Sequence, residues 1–280
     1  MKGIAIVGLG LIGGSIAKAM REQSNHVEIV AVDQRHVLEQ PDVTDTIDCG
    51  IEISQVGTNT SKLAKCDLIV LCQPVGVIAD SVASYLLPQT IVTDTGSTKR
   101  RVVERAGPVA ESRWFVPGHP MAGRARGGFE NASARLFEGR PWIICPEDRA
   151  TEAVAGVSTL IDLLGARRVD MTPEQHDAAV AITSHAPQLF SSWLQRVGSE
   201  NEALAAAGPA FTEMTRTAGG AEAIWRDIFE TNSDEVGRVL RDAAMAFAAC
   251  SDALLSRPPR VDVVLDMLSQ ARQAKRANHD

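Results

Sequence analysis

The chain has 280 residues, 45% of them hydrophobic and 22% charged, a balance that describes a soluble globular protein long enough for two domains. A formal net charge of −7, a pI near 5.4 and no long basic run argue against a nucleic-acid partner, which needs a basic footprint to displace counterions. Cys49, Cys66, Cys72, Cys145 and Cys250 form no CxxC pair and make an odd set, so neither a metal site nor a disulfide framework is expected, and a reducing cytoplasm is the simplest location.

Met1 to Met20, MKGIAIVGLGLIGGSIAKAM, imitates a signal peptide, with Lys2, an apolar run and an Ala17-Lys18-Ala19 that resembles a cleavage site. The uncharged run from Gly3 to Ala17 is 15 residues long, shorter than the roughly 18 expected of a membrane span, and the signal reading leaves the positions of its internal glycines unexplained. No membrane partner is expected. Read as a strand GIAIV, a turn Gly8-Leu9-Gly10-Leu11-Ile12-Gly13 and a helix GSIAKAMRE, the same residues account for each glycine. Gly8 permits the tight turn, Gly10 lets the backbone approach a pyrophosphate, and Gly13 allows the helix to pack on the strand, while the helix start at Leu11 and Ile12 offers N–H donors to the anion. GxGxxG alone is weak, but VEIVAVD supplies a second strand ending at Asp33, 20 residues after Gly13, where a carboxylate can bond the adenosine ribose hydroxyls. Such a carboxylate repels a 2′-phosphate, so NAD is expected over NADP; Arg35, two residues on, could partly accommodate that phosphate.

Apolar runs then alternate with helix-like segments: DLIVLCQPV, GVIADSVASYLL, TIVTDTG, STKRRVVERAG, WFVPG, PWIICP, ATEAVAGVSTLIDLLG and ARRVDM. This alternation predicts an α/β, Rossmann-type, doubly wound and mostly parallel sheet over residues 1–170. Ligands in such folds bind beyond the carboxyl ends of strands, so Gln73-Pro74, Asp94-Thr95-Gly96-Ser97 and Gly118-His119-Pro120 are expected on one rim, with Gln73, Pro74 and Asp94 beside the cofactor. From Thr172 the texture changes to long helix-compatible stretches, which predicts an all-α domain over residues 171–280. Its segments are PEQHDAAVAITSHAPQLFSSWLQRVG, ENEALAAAG, AEAIWRDIFETNSDEVGRVLRDAAMAFAACSDALL and VDVVLDMLSQARQAKRA, with a break expected at Asn232-Ser233-Asp234. Pro187 inside the first of these removes a helical hydrogen bond, so a kink is expected just after His185.

Seven fragments taken in order, GLGLIGGS, DTGSTK, GHPMAG, LFEGRPWIICP, EQHDAAVAITSHAPQ, MTRTAGG and IWRDIFETN, resemble the TyrA family of prephenate and arogenate dehydrogenases. The resemblance implies an NAD(P)-dependent oxidative decarboxylation on the route to tyrosine, in which a cyclohexadienol becomes a 4-hydroxyphenyl product. It implies that Ser97 and His119 meet the ring hydroxyl, with His119 accepting its proton, a task suited to an imidazole of ordinary pKa about 6.5. His185 resembles a second active-site histidine, Arg216 the arginine that holds a substrate carboxylate, and Trp225 a tryptophan that lines the pocket, of its own or of the partner subunit. Glu174 or Asp177 could pair with Arg216 as a gate, and Asp227 beside Arg226 reads as structural.

Two departures bear on substrate choice: Ala186-Pro187-Gln188 stands where relatives often carry Leu-Pro-His, placing Gln188 at the pocket wall, and Arg124 and Arg126 make the loop after GHPMAG unusually basic. The expected reaction is therefore prephenate to 4-hydroxyphenylpyruvate, with arogenate or 4-amino-4-deoxyprephenate as alternative substrates and a non-catalytic NAD-binding sensor as a distant alternative. The β-hydroxyacid dehydrogenases share this layout but use a lysine on the second domain's first long helix; no lysine lies between Lys99 and Lys275. The chain ends at Asp280, soon after its last predicted helix, so no appended mutase or regulatory domain is expected and any tyrosine inhibition should compete with substrate. The alanine-rich amphipathic second half, like the resemblance, implies a homodimer through the helical domain.

Overall fold

Every residue of strand β1 (Gly3–Val7) is buried, so both faces of this strand must be covered by other elements. Its alternate side chains serve two different cores, Ile4 and Ile6 in one and Ala5 and Val7 in the other. The computed structural model describes residues 1–23, 26–108, 110–124 and 126–277. After β1 come α1 (Leu11–Gln23), β2 (Glu28–Asp33), the short turns α2 (Arg35–Leu38) and α3 (Pro41–Thr44), β3 (Cys49–Glu52), α4 (Thr60–Leu63), β4 (Leu68–Leu71), α5 (Val75–Tyr85), β5 (Ile91–Asp94), α6 (Arg100–Ala106) and β6 (Phe115–Val116). These strands form a six-stranded sheet of order β3-β2-β1-β4-β5-β6 in which every pairing is parallel. The order reverses between β1 and β4, which opens a crevice at their carboxyl ends.

The expected sheet is present but is divided. WFVPG splits into β6 and β7 (Gly118–Pro120) around Pro117, which has no N–H for a ladder. Strand β7 pairs antiparallel with β8 (Pro141–Ile144), which after α7 (Thr151–Leu163) pairs parallel with β9 (Arg167–Asp170), so PWIICP and ARRVDM belong to a separate three-stranded sheet. Strand β3 was not anticipated: it is four residues of CGIE with only Ile51 buried, too short and too polar at an edge to stand out as an apolar run.

The chain forms two compact units, Met1–Ser233 and Asp234–Asp280. In the first, α8 (Pro173–Val180) starts at a capping box in which Thr172 and Gln175 exchange bonds, with Pro173 at the first helical position. The turn Ala181–His185 then widens to a π-helix before α9 (Ala186–Glu200). The irregularity expected near His185 is thus a π-turn, as happens when a proline withholds the next helical donor. ENEALAAAG, expected as a helix, makes only a 3-10 turn at Ala203–Ala206, cut off by Gly208 and Pro209 where α10 (Pro209–Thr215) begins. Helix α11 (Glu222–Thr231) ends at Asn232, where the sequence predicted a break. The second unit is carried by α12 (Ser233–Leu255) and α13 (Val261–Ala277), joined by a bond from Arg260 N to the Ala253 carbonyl at 2.9 Å. Met245, Phe247, Leu255, Leu265 and Leu268 are exposed on these two helices. No described helix is long and apolar enough to cross a membrane.

A Cβ added at Gly13 would run into the Gly8 carbonyl oxygen, whereas one at Gly10 meets nothing within 4 Å. Gly13→Ala should therefore lower stability by on the order of 1–3 kcal/mol in urea unfolding, and Gly10→Ala should leave it nearly unchanged.

Candidate active site

The turn after β1 has the geometry a dinucleotide phosphate needs. Gly8 has φ +96°, a conformation that favours glycine, and an added Cβ would lie 3.0 Å from the Cys72 carbonyl carbon and oxygen at the end of β4. Open space over Gly10 and the absence of a backbone acceptor among the described residues for the amides of Leu11 and Ile12 leave a free cradle of N–H groups at the start of α1. Asp33 closes β2 beside it, its Oδ2 accepting from Leu9 N at 2.5 Å and its Oδ1 from Gln34 N at 2.7 Å. Gln73 lies across the crevice with its buried Oε1 lacking any partner among the described residues, and exposed Pro74 leads into α5. Arg35 is turned to Glu52, with Nη2 and Nε at 3.0 and 3.2 Å from its carboxylate.

A second cluster ties the ends of β5 and β6 together. Asp94 is fully buried, and its carboxylate accepts from Gly96 N at 2.9 Å, from Gly118 N at 3.0 Å and from Lys99 Nζ. Lys99 is equally buried and also donates to the Gly118 carbonyl at 2.6 Å. Asp94 was expected on the rim beside the cofactor; its oxygens clamp the loop that carries Ser97 to the strand that carries His119. Ser97 is half-buried, and its hydroxyl makes no hydrogen bond among the described residues.

From His119 a chain of bonds runs inward. His119 Nδ1 lies 2.8 Å from His176 Nε2, and His176 Nδ1 lies 2.7 Å from Asp177 Oδ1. Asp177 also accepts from Lys99 N at 2.7 Å, Arg100 N at 3.0 Å and Arg100 Nε at 3.2 Å. Asn232 extends the chain: its amide oxygen accepts from Arg100 at 2.9 Å, and its Nδ2 reaches the Asp177 carbonyl at 2.9 Å and His185 Nδ1 at 3.3 Å. His185 stands edge-on to Trp225 with ring centroids 6.1 Å apart. Gly220 lies against both the Trp225 indole and the amide of buried Gln188, so these residues share one wall.

Burial sets the protonation states here. Desolvation, helped by the nearby His176, Lys99 and His185, holds His119 well below the usual histidine range. Burial lowers His176 against the pull of Asp177, and pushes His185 down to about 4. For Asp177 burial works the other way, but the His176 bond and charge and the backbone N–H groups of Arg100 and Lys99 outweigh it and keep its carboxyl below the ordinary value.

Other expected residues stand apart. Arg216 is exposed at the end of α10 and pairs with neither Glu174, which is exposed, nor Asp177, whose oxygens are already engaged. Arg124 donates to the Asn131 carbonyl at 3.0 Å, and Arg126 is exposed. Asp227 accepts from Gly76 N at 3.2 Å in the first turn of α5, a helix cap supplied from α11. His176, Lys99, Arg100 and Asn232 were not singled out from sequence. Adjacent His176-Asp177 in EQHD was a visible signal, but its partner His119 lies 57 residues away.

The family model described as "Prephenate dehydrogenase, nucleotide-binding domain" matches residues 16–170, and "Prephenate dehydrogenase, dimerization domain" matches residues 172–256. The chain belongs to the prephenate dehydrogenase family. It is 32% identical over 246 residues to a prephenate dehydrogenase of Bacillus subtilis, covering 83% of this chain but only 65% of that one. Among solved structures it is similar to A. aeolicus prephenate dehydrogenase in complex with hydroxyphenyl propionate and NAD+, at 25% identity and TM-score 0.78 over 100% of this chain and 99% of that one. It is also similar to Synechocystis arogenate dehydrogenase, at 26% identity and TM-score 0.77 over 99% and 100% of the two chains.

Because His119, His176 and His185 all resist protonation when folded, the unfolded chain binds more protons once pH falls below about 6.5. Stability is therefore expected to be flat from that pH up to about 8 and to fall steadily below that range toward pH 4, the value His185 reaches, as read by urea unfolding at stepped pH.

Proposed function

We propose that this chain oxidises and decarboxylates prephenate to 4-hydroxyphenylpyruvate with NAD as hydride acceptor. The observation that carries the reading is His119: an imidazole kept neutral by its surroundings, clamped through Gly118, Asp94 and Lys99 to the loop of Ser97, on strand β7, which follows directly in sequence from the edge strand β6 of the sheet that holds the dinucleotide turn. The glycine cradle at residues 8–13, the amides of Leu11 and Ile12, the Asp33 carboxylate and the unpartnered Gln73 oxygen fit a dinucleotide. When bound, its nicotinamide ring supplies the acceptor for the hydride leaving the ring carbon. His119 takes the proton of the hydroxyl on that carbon, and the free hydroxyl of Ser97 orients the same oxygen. His185 uses Nδ1 to accept from Asn232, so its Nε2–H is the donor left for substrate. Gln188 and Trp225 shape the wall beside it, and exposed Arg216 meets a substrate carboxylate. Asp33, with Arg35 drawn to Glu52, favours NAD over NADP. In this reading residues 1–170 form the dinucleotide-binding domain, and His185, Gln188, Arg216 and Trp225 of the helical region that follows complete the substrate site.

Arogenate is the second reading, supported by the Synechocystis relative and by Gln188, a neutral side chain at the wall. A two-by-two assay of prephenate and arogenate against NAD and NADP tests both; absence of reduced cofactor in all four mixtures would remove the proposal. His119→Asn should lower kcat by about 10²–10⁴-fold with substrate still bound, and Arg216→Ala should mainly raise KM. The acid limb of kcat/KM should lie clearly below pH 6.5, because a lowered histidine pKa keeps the base free as pH falls.

A homodimer is part of the proposal, supported by the dimerization-domain match and by the exposed apolar side chains of α12 and α13. Light scattering should give twice the 29.9 kDa chain mass, and a monomer at micromolar concentration would refute it.

A further inference from the structure

Asp177 receives four N–H donors on two oxygens: Lys99 N and His176 Nδ1 on Oδ1, and the backbone and side chain of Arg100 on Oδ2. A carboxylate surrounded in this way is an acceptor only, so the proton between it and His176 belongs to His176 Nδ1. His176 is fully buried, and with its Nδ1 protonated the neutral ring has only a lone pair at Nε2. His119 Nδ1 lies 2.8 Å from that lone pair and must donate to it; a proton on the other His119 nitrogen would set lone pair against lone pair.

We propose that His176, anchored by Asp177, is a positioning residue that fixes His119 as its Nδ1–H tautomer and so reserves the Nε2 lone pair for the substrate hydroxyl. The inference rests on His119 being the base in the reaction proposed above. During turnover the substrate O–H bond breaks and an N–H bond forms at His119 Nε2. The resulting imidazolium keeps its Nδ1–H on His176, whose own Nδ1–H remains on the Asp177 carboxylate. No proton need leave the chain of bonds, and positive charge appears where a buried anion two bonds away compensates it. The neighbouring cation does not compete for this role, because the Lys99 ammonium is held by Asp94 and the Gly118 carbonyl. Asp177 keeps its geometry because the same carboxylate binds successive amides at the start of α6.

The test begins with the ligand-free wild-type protein carrying 15N-histidine, in which NMR correlations distinguish protonated from unprotonated ring nitrogens. His119 is expected to show a protonated Nδ1 and a bare Nε2; the reverse pattern would overturn the inference, and neither result depends on which substrate is turned over. His176→Leu keeps apolar bulk but removes donor and acceptor. It should shift His119 toward the Nε2–H form and lower kcat by on the order of 10²–10⁴-fold with KM little changed, the scale seen when a catalytic imidazole loses its tautomer. His176→Gln, which retains one donor and one acceptor, should recover a large part of that loss. A folded His176→Leu protein with wild-type kcat would overturn the proposal. Wild-type protein with the expected tautomer but no turnover of prephenate or arogenate would leave the tautomer standing and remove the reaction.

Discussion

A single buried carboxylate, Asp177, joins the two halves of the candidate site. Its oxygens accept from the amides that open α6 on the sheet side and from His176 on its own helix, so the two sides share one anchor. An unpaired charge at such depth would cost several kcal/mol, and the four donors are what make the burial tolerable. They also leave Asp177 no freedom to serve as a gate for Arg216. Asn232 repeats the arrangement one shell further out, using its oxygen for Arg100 and its nitrogen for Asp177 and His185. Thr98 and Thr231, hydroxyl to hydroxyl at 2.8 Å, add a third tie between the same elements.

The Asp94–Lys99 pair does for the rim what Asp177 does for the helices. Both side chains are fully buried, and each spends its remaining capacity on the backbone, Asp94 on two amides and Lys99 on a carbonyl. Stability alone does not explain such a pair, since apolar replacements of buried ion pairs are often no worse. Its distinctive effect is geometric: it holds the Ser97 loop and β7 in one arrangement, and places a cation near enough to help keep His119 neutral.

How much of this was legible depended on the range of the interaction. The strand, glycine turn and helix at residues 3–23 were readable because each signal is local: β-prone run, GxGxxG, then small residues where the helix meets the strand. The break at Asn232 and the distortion before Pro187 were readable for the same reason. The division of the sheet was not, because PWII is as apolar as any parallel strand and nothing within it says that one of its two partners is a three-residue strand facing the other way. The bonds of the Asp94 carboxylate were hidden for a related reason: nothing in the motif says that a lysine five positions on, Lys99, turns back to meet it.

The sequence by itself determined the dinucleotide turn, the change from alternating strands and helices to helices alone, and the family, because local spacing and ordered fragments carry that information. Only the tertiary structure decided which polar groups are spent on the protein and which remain for a substrate. Asp94 and Asp177 are both acids next to expected site residues, yet the oxygens of both are taken up by donors of the protein itself, some near in sequence and some as far as 24 and 78 residues away, whereas His119 keeps one nitrogen uncommitted. The physical reason is that burial drives most polar groups to find a partner within the protein, and partners separated by 57 or 78 residues are set by the packing of elements rather than by any motif.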